Sequence, residues 1–318
     1  AFEDFLKKLY ADRPDFVVPD TRFNEIKAFV ARGLQDFSIS RLAEKQPWGI
    51  PVPDDPAQTM YVWFDALVNY ISAIGWPFDK AQGKPDLFEK WWIDSGGVVQ
   101  FAGKDQVRQQ AAMWQAMLHA ADLSPSRQIV IHGFITSGGQ KMSKSLGNVV
   151  DPFALVNEYG TDAVRWFLAR HMHPFEDSDF TLARFKEAYN ADLANGVGNL
   201  VSRILKMAAM NLESPVSALS GEMSEKCKTA LERFDVQAAA AEVSNRVSAL
   251  DKKIQETKPF ELVKKDKIAA TAVISKLVRD LCNLTSDLEP ILPQTALAIR
   301  ELIKNNTAPV KPLFPRKE

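Results

Sequence analysis

Cysteine is almost absent from this chain of 318 residues: there are two, Cys227 and Cys282, far apart, so no cluster exists that could form a zinc knuckle. Isolated thiols of this kind fit a reducing compartment. No apolar run reaches the length of a membrane span or a signal-peptide core. Charge of either sign is not in excess, with 39 Lys and Arg against 40 Asp and Glu, which argues against a globally basic coat for nucleic acid. Any RNA contact must then be local. Histidine is scarce too, at four residues, and the chain opens Ala1-Phe2-Glu3-Asp4 without an initiator methionine, compatible with a fragment or a trimmed protein. What is present, 46% hydrophobic residues over this length, allows two packed domains. A soluble cytoplasmic protein with no membrane partner is the expectation.

The pattern along the chain changes once. Residues 3–12 and 24–32 carry helical spacing, the second run closed by Gly33, and residues 34–58 read as loop because Pro47, Pro51, Pro53 and Pro56 interrupt every helix. Thr59 to Phe64 predicts a strand, with Asp65 capping a helix that ends near Gly75. Strands at Val98–Ala102 and Ile129–His132 bracket a helical stretch over 104–121. Strands alternating with helices in this way predict a parallel sheet, whose ligands sit at the carboxyl ends of the strands. Beyond about Asp179 only helical periodicity remains, over 181–211, 222–257, 260–288 and 294–304, predicting an antiparallel bundle. The last residues, with Pro309, Pro312 and Pro315, predict an extended strap. The expected fold class is α/β followed by all-α. Expected bounds are 1–58, 59–179, 180–305 and 306–318.

Chemistry concentrates in Lys141-Met142-Ser143-Lys144-Ser145, set between the run Gln128–Gly133 and a helix start at Asp151-Pro152. Two flexible ammonium groups on a short loop after a buried strand can act as point charges beside a triphosphate, and Gly138, Gly139 and Gly147 give the backbone freedom. On composition alone a solvated surface loop is an equal reading.

The loop resembles the second signature of class I aminoacyl-tRNA synthetases, and residues 131–159 resemble the methionyl-tRNA synthetase family in particular. Gly33 to Arg41, Trp48 to Pro53, Tyr61 to Tyr70, Gly103-Lys104-Asp105, Tyr189 to Arg203 and Pro312 to Arg316 agree, so the resemblance spans essentially the whole chain. It implies the second half of a Rossmann-type catalytic domain followed by an anticodon-binding bundle. None of His119, His132, His171 and His173 lies in a HIGH tetrapeptide, so the first Rossmann half is expected in a missing N-terminal segment.

By resemblance the activity is methionine–tRNA ligation, with ATP and its Mg counter-ion, methionine and tRNA-Met as partners and no zinc ligands here. Lys144 is implied as the principal ATP contact, supported by Lys141. These lysines would stabilise charge on departing pyrophosphate more in the transition state than in the ground state. Gly103, Asp105, His132 and Gly133 are implied around the nucleotide, although a helix start and a structural histidine are the plainer readings of those residues. Trp63, Ala66 and Tyr70, otherwise ordinary core, are implied in an aromatic pocket for a thioether side chain. Leu67 stands where some members have proline. Gln109-Gln110 stands where many members have Phe-His, so Gln110 would offer an amide donor that cannot change charge near neutral pH. Asn199 and Arg203, four apart on one helix, and Phe260, where many members carry tryptophan, are implied as anticodon contacts. The chain alone is expected to be inactive. The competing reading is a non-catalytic tRNA-binding module, or one half of a split synthetase.

Overall fold

The computed structural model describes residues 1–76, 85–216 and 221–318. The chain divides into two compact units, 1–132 and 133–318, so the change from strand to helix near 176–180 falls inside the second unit.

The first unit opens with α1 (Glu3–Asp12), β1 (Val17–Val18) and α2 (Asp20–Ala31), and Gly33 leaves α2 at φ +93. Three short strands follow: β2 (Ser40–Leu42), β3 (Pro51–Val52) and β4 (Asp55–Met60). They form an antiparallel sheet in the order β2-β4-β3. The expected strand over Thr59–Phe64 is therefore corrected: it ends at Met60, belongs to this small sheet, and gives way to α3 (Val62–Ala66) and α4 (Asn69–Ser72). Asp65 lies inside α3, whose N-cap is Tyr61, so its capping role is corrected too. Aromatic and β-branched composition misleads here because, after a last rung from Tyr61 N–H to the Ile39 carbonyl at 2.8 Å, Phe64 N–H and Asp65 N–H turn back to the Tyr61 carbonyl at 2.9 and 3.2 Å and start the helix. The Pro-rich stretch read as loop also supplies strands. Pro56 is tolerated because it lies at the register shift between β3 and β4 and before the β2 ladder begins at Gln58.

After α5 (Pro85–Phe88) and a wide π-type turn (Glu89–Asp94), β5 (Val99–Gly103) runs parallel to β6 (Gln128–His132). The parallel sheet has the order β1-β6-β5. Between its last two strands the chain winds as a 3-10 turn (Lys104–Gln106), a π-type segment (Gln109–Met113) and α6 (Trp114–Ala120). Leu6, Phe16, Phe23, Ile26, Ile129 and Ile131 are buried between helices and sheet.

The second unit begins with β7 (Ile135–Ser137), paired with β8 (Gln140–Lys141) as a hairpin and with β9 (Ser178–Phe180) in parallel. Between them lie α7 (Pro152–Tyr159) and α8 (Thr161–His171). The helical region continues through α9 (Leu182–Ala188), a ten-residue π-type segment (Tyr189–Gly198) and α10 (Asn199–Asn211). It is completed by α11 (Glu225–Glu232), α12 (Val236–Thr257), α13 (Pro259–Lys265), α14 (Lys267–Leu288) and α15 (Pro293–Lys304). Side-chain caps set the starts: Asp151, Thr181, Ser224, Asp235 and Asp266 each accept a hydrogen bond from a backbone N–H of the first turn. The expected single helix over 222–257 is broken at Phe234, which adopts φ +61. The tail packs as a strap: Phe314 is buried, Tyr189 Oη donates to the Pro315 carbonyl at 2.9 Å, and Asn190 and Lys317 bond each other's amide groups.

Asp192, in the π-type segment, ties it to α8 by accepting from Trp166 Nε1 at 3.0 Å and from His171 Nε2 at 2.8 Å. Burial alone would raise this carboxyl, but the bonds from His171 and Trp166 outweigh it and hold the group below its ordinary value of 3.8. A depressed carboxyl contributes its full stabilisation above the unfolded value and loses it as pH falls through the folded one. Asp192→Ala is expected to cost about 1–3 kcal/mol at neutral pH. Urea unfolding should show the gap from wild type closing below about pH 4; a gap unchanged at low pH would contradict the assignment.

Candidate functional site

The register of the parallel sheet sets Gly103 opposite His132, at the carboxyl ends of β5 and β6. Gly103 leads directly into the Lys104–Gln106 turn, where Asp105 is exposed. Three of the expected nucleotide residues are thus gathered at the end of the sheet where open α/β folds bind ligands. An exposed carboxylate there can accept hydrogen bonds from vicinal hydroxyls.

The first unit also carries an aromatic cluster. Trp114 sits 5.9 Å from the Tyr70 ring and perpendicular to Trp92 at 6.2 Å, and half-buried Trp63 packs with Leu67 and Ile71 in the same cluster. Ala66 is exposed, and Ala66 and Tyr70 end up on separate short helices with Leu67 and Val68 between them. Gln110 is 1% exposed and its Nε2 donates to Tyr70 Oη at 2.9 Å. The sequence did not reveal what holds it. Gln115 Nε2 donates to the Gln110 carbonyl at 2.8 Å and to Ser126 Oγ at 3.2 Å, and Ser126 Oγ in turn bonds Gln100 of β5. Among the described residues, Oε1 of Gln110 accepts no hydrogen bond. A neutral amide fixed among aromatic rings offers polarity without a titrating charge. Val68, Ile71, Trp76, Met113, Trp114 and Met117 line an apolar cavity of about 400 Å³.

In the second unit the lysine loop grows from the β7–β8 hairpin. Asp179 of β9 fixes that hairpin, accepting from Gly139 N–H at 2.7 Å and Thr136 Oγ1 at 2.8 Å, and these bonds hold its carboxyl below the usual range. Gly133 tolerates no side chain: a Cβ there would stand 2.2 Å from the Glu176 carbonyl group. Lys141 is exposed, with Nζ 4.8 Å from the centre of the Phe134 ring. Lys144 opens a 3-10 turn (Lys144–Leu146), and its side chain lies outside the described residues. Among the described residues no group of three or more His, Cys, Asp or Glu is arranged to hold a metal ion, and no helix is long and apolar enough to cross a membrane.

On the bundle, Asn199 is exposed at the start of α10, and Arg203, one turn on, pairs with Asp251 of α12. Phe260 is 50% exposed in the first turn of α13, just after Lys258 at φ +42. Sequence placed Asn199 and Arg203 one turn apart on a helix, as found, but could not reveal the partner of Arg203.

Residues 1–205 match the family model described as tRNA synthetases class I (M). The chain belongs to that family. The class I synthetase fold, with its parallel sheet and helical C-terminal region, follows from this match and from the structural likeness. The methionine–tRNA ligase of Thermosynechococcus vestitus is 39% identical over 94% of this chain, and that of Synechocystis sp. is 38% identical over 92%. The match occupies 58% and 57% of those two proteins, so this chain spans about three fifths of their length. Mycobacterium tuberculosis methionyl-tRNA synthetase in complex with methionyl-adenylate superposes with a TM-score of 0.83 at 32% identity, covering 99% of this chain and 67% of that one.

Proposed function

We propose that this chain is the larger part of a methionine–tRNA ligase, forming methionyl-adenylate from methionine and ATP and passing the methionyl group to tRNA-Met. The observation that carries this reading is the family match through the lysine loop. The first unit would hold the adenosine through Gly103, Asp105 and His132, and the methionine side chain through Trp63, Ala66, Tyr70 and Gln110. Gly133, next to His132, is read as lining the nucleotide, and Lys141 and Lys144 are assigned to the triphosphate, with Mg²⁺ entering as the counter-ion of the substrate. The helices from α9 to α15 are read as the anticodon-binding domain, with Asn199, Arg203 and Phe260 as base contacts and the tail as its strap. The first unit's sheet is read as the second half of a Rossmann-type domain, because among the described residues β5 forms an edge of a parallel sheet three strands wide. Its complement would be the N-terminal part of the same enzyme, and the site of action the cytoplasm.

Methionine-dependent exchange between pyrophosphate and ATP tests the reading. The chain alone is expected to give none, and adding the part of a relative that it does not match should restore exchange, because catalysis needs both halves of the nucleotide cradle in register. Exchange by the chain alone at the rate of a full-length relative would sink the half-domain reading. No exchange from a folded mixture would favour a tRNA-binding module.

A further inference from the structure

We propose that Asn148 is the positioning residue of the lysine loop, latching its two ends together. The loop has little packing of its own. Met142 and Val150 are half-buried against the core of the second unit, whereas between them Leu146 is 61% and Val149 51% exposed. Polar bonds must therefore hold the intervening backbone, and one side chain supplies the closure. Asn148 Nδ2 donates to the Lys141 carbonyl at 3.2 Å, and its Oδ1 accepts from Ser143 N–H at 2.8 Å. Inside this ring Leu146 N–H reaches the Ser143 carbonyl at 3.2 Å, and Gly147 turns the chain back at φ +64.

The chemistry of the latch is specific. It needs a donor and an acceptor on one planar group at the end of a short side chain, which asparagine has. Aspartate keeps the bond from Ser143 but presents a second acceptor to the Lys141 carbonyl. Glutamine moves the amide outward by a methylene. The functional consequence rests on the reading of this loop as a phosphate contact: a loop already closed has less backbone entropy to lose when a triphosphate binds. Asn148 thus acts through the backbone of Lys141 and Ser143, the residues on either side of Met142, without touching the ligand.

Trypsin cleaves after lysine, so the rate of cutting at Lys141 and Lys144 reports the open population of the loop when reclosing is fast. Four forms of the chain would be compared: wild type, Asn148→Ala, Asn148→Asp and, as a control at the exposed tip, Leu146→Ala. Losing two neutral hydrogen bonds should raise cutting about tenfold in Asn148→Ala, with Asn148→Asp between it and wild type. Leu146→Ala should change it less than about twofold, and the circular dichroism melts of all four should coincide. With the part of a relative that completes the nucleotide cradle also present, magnesium ATP or inorganic triphosphate should slow cutting in wild type, and Asn148→Ala should need about tenfold more of either for equal protection. Equal cutting in wild type and both Asn148 variants overturns the latch. So does accelerated cutting accompanied by a lowered melt, which would make Asn148 a general structural residue. If neither ligand protects wild type while the Asn148 variants still open the loop, the latch stands and the phosphate reading falls.

Discussion

Replacing Arg246 by alanine is expected to destabilise the second unit by about 3 kcal/mol, the lower end of the range for removing one member of a buried ion pair. Its partner Asp287 is fully buried, whereas Arg246 remains about a quarter exposed, and solvent screening of the arginine keeps the cost from the upper end. Asp287 also accepts from Ser224 N–H, the residue that starts α11, at 2.7 Å. Arg246→Ala would leave that carboxylate buried with one neutral donor. Asp287→Asn in the same background keeps an acceptor for Ser224 and removes the charge, so the double variant should recover much of the loss. Urea unfolding followed by far-ultraviolet circular dichroism reads both. A double variant less stable than Arg246→Ala would show that the carboxylate's charge is not what costs.

Lys144→Ala, in the complemented exchange assay, should reduce turnover about 10²–10³-fold while changing methionine affinity little, the pattern of a group whose interaction strengthens only as charge develops. Lys141→Ala should lose less: its ammonium already lies over the Phe134 ring, so part of its interaction is present before any nucleotide arrives. Equilibrium binding of methionine separates the two effects. Parallel losses in binding and turnover for Lys144→Ala would point to a disturbed fold and remove the lysine from its proposed role.

Long helices were the legible part of this sequence. In α12 and α14 the apolar spacing persists for 22 residues each, and tertiary packing had no reason to override so strong a pattern. Short elements were not. Val17 and Val18 become a strand only because β6 lies alongside, and two residues carry no period of their own. Around Thr59–Phe64 the composition was right for a strand but the partner was not, since the ladder is antiparallel and drawn from a stretch whose prolines masked it. For the candidate site, signature residues were visible while their supports were not. Asn148, Asp179 and Gln115 work through bonds to backbone groups whose positions depend on the folded path. The pairing of Arg203 with Asp251 joins helices far apart in sequence and leaves no local trace.

The strap has a consequence for the order in which the chain can fold. Tyr189 and Asn190 wait for Pro315 and Lys317, and the Lys317 ammonium reaches back to the Glu158 carbonyl, 159 residues earlier. During synthesis the seam between α7 and the π-type segment therefore stays open until residues 314–317 have cleared the ribosome, after α9 to α15 have all emerged. Packing of the second unit finishes after translation has passed this point, and until then the apolar side chains that Phe314 joins lack that part of their cover.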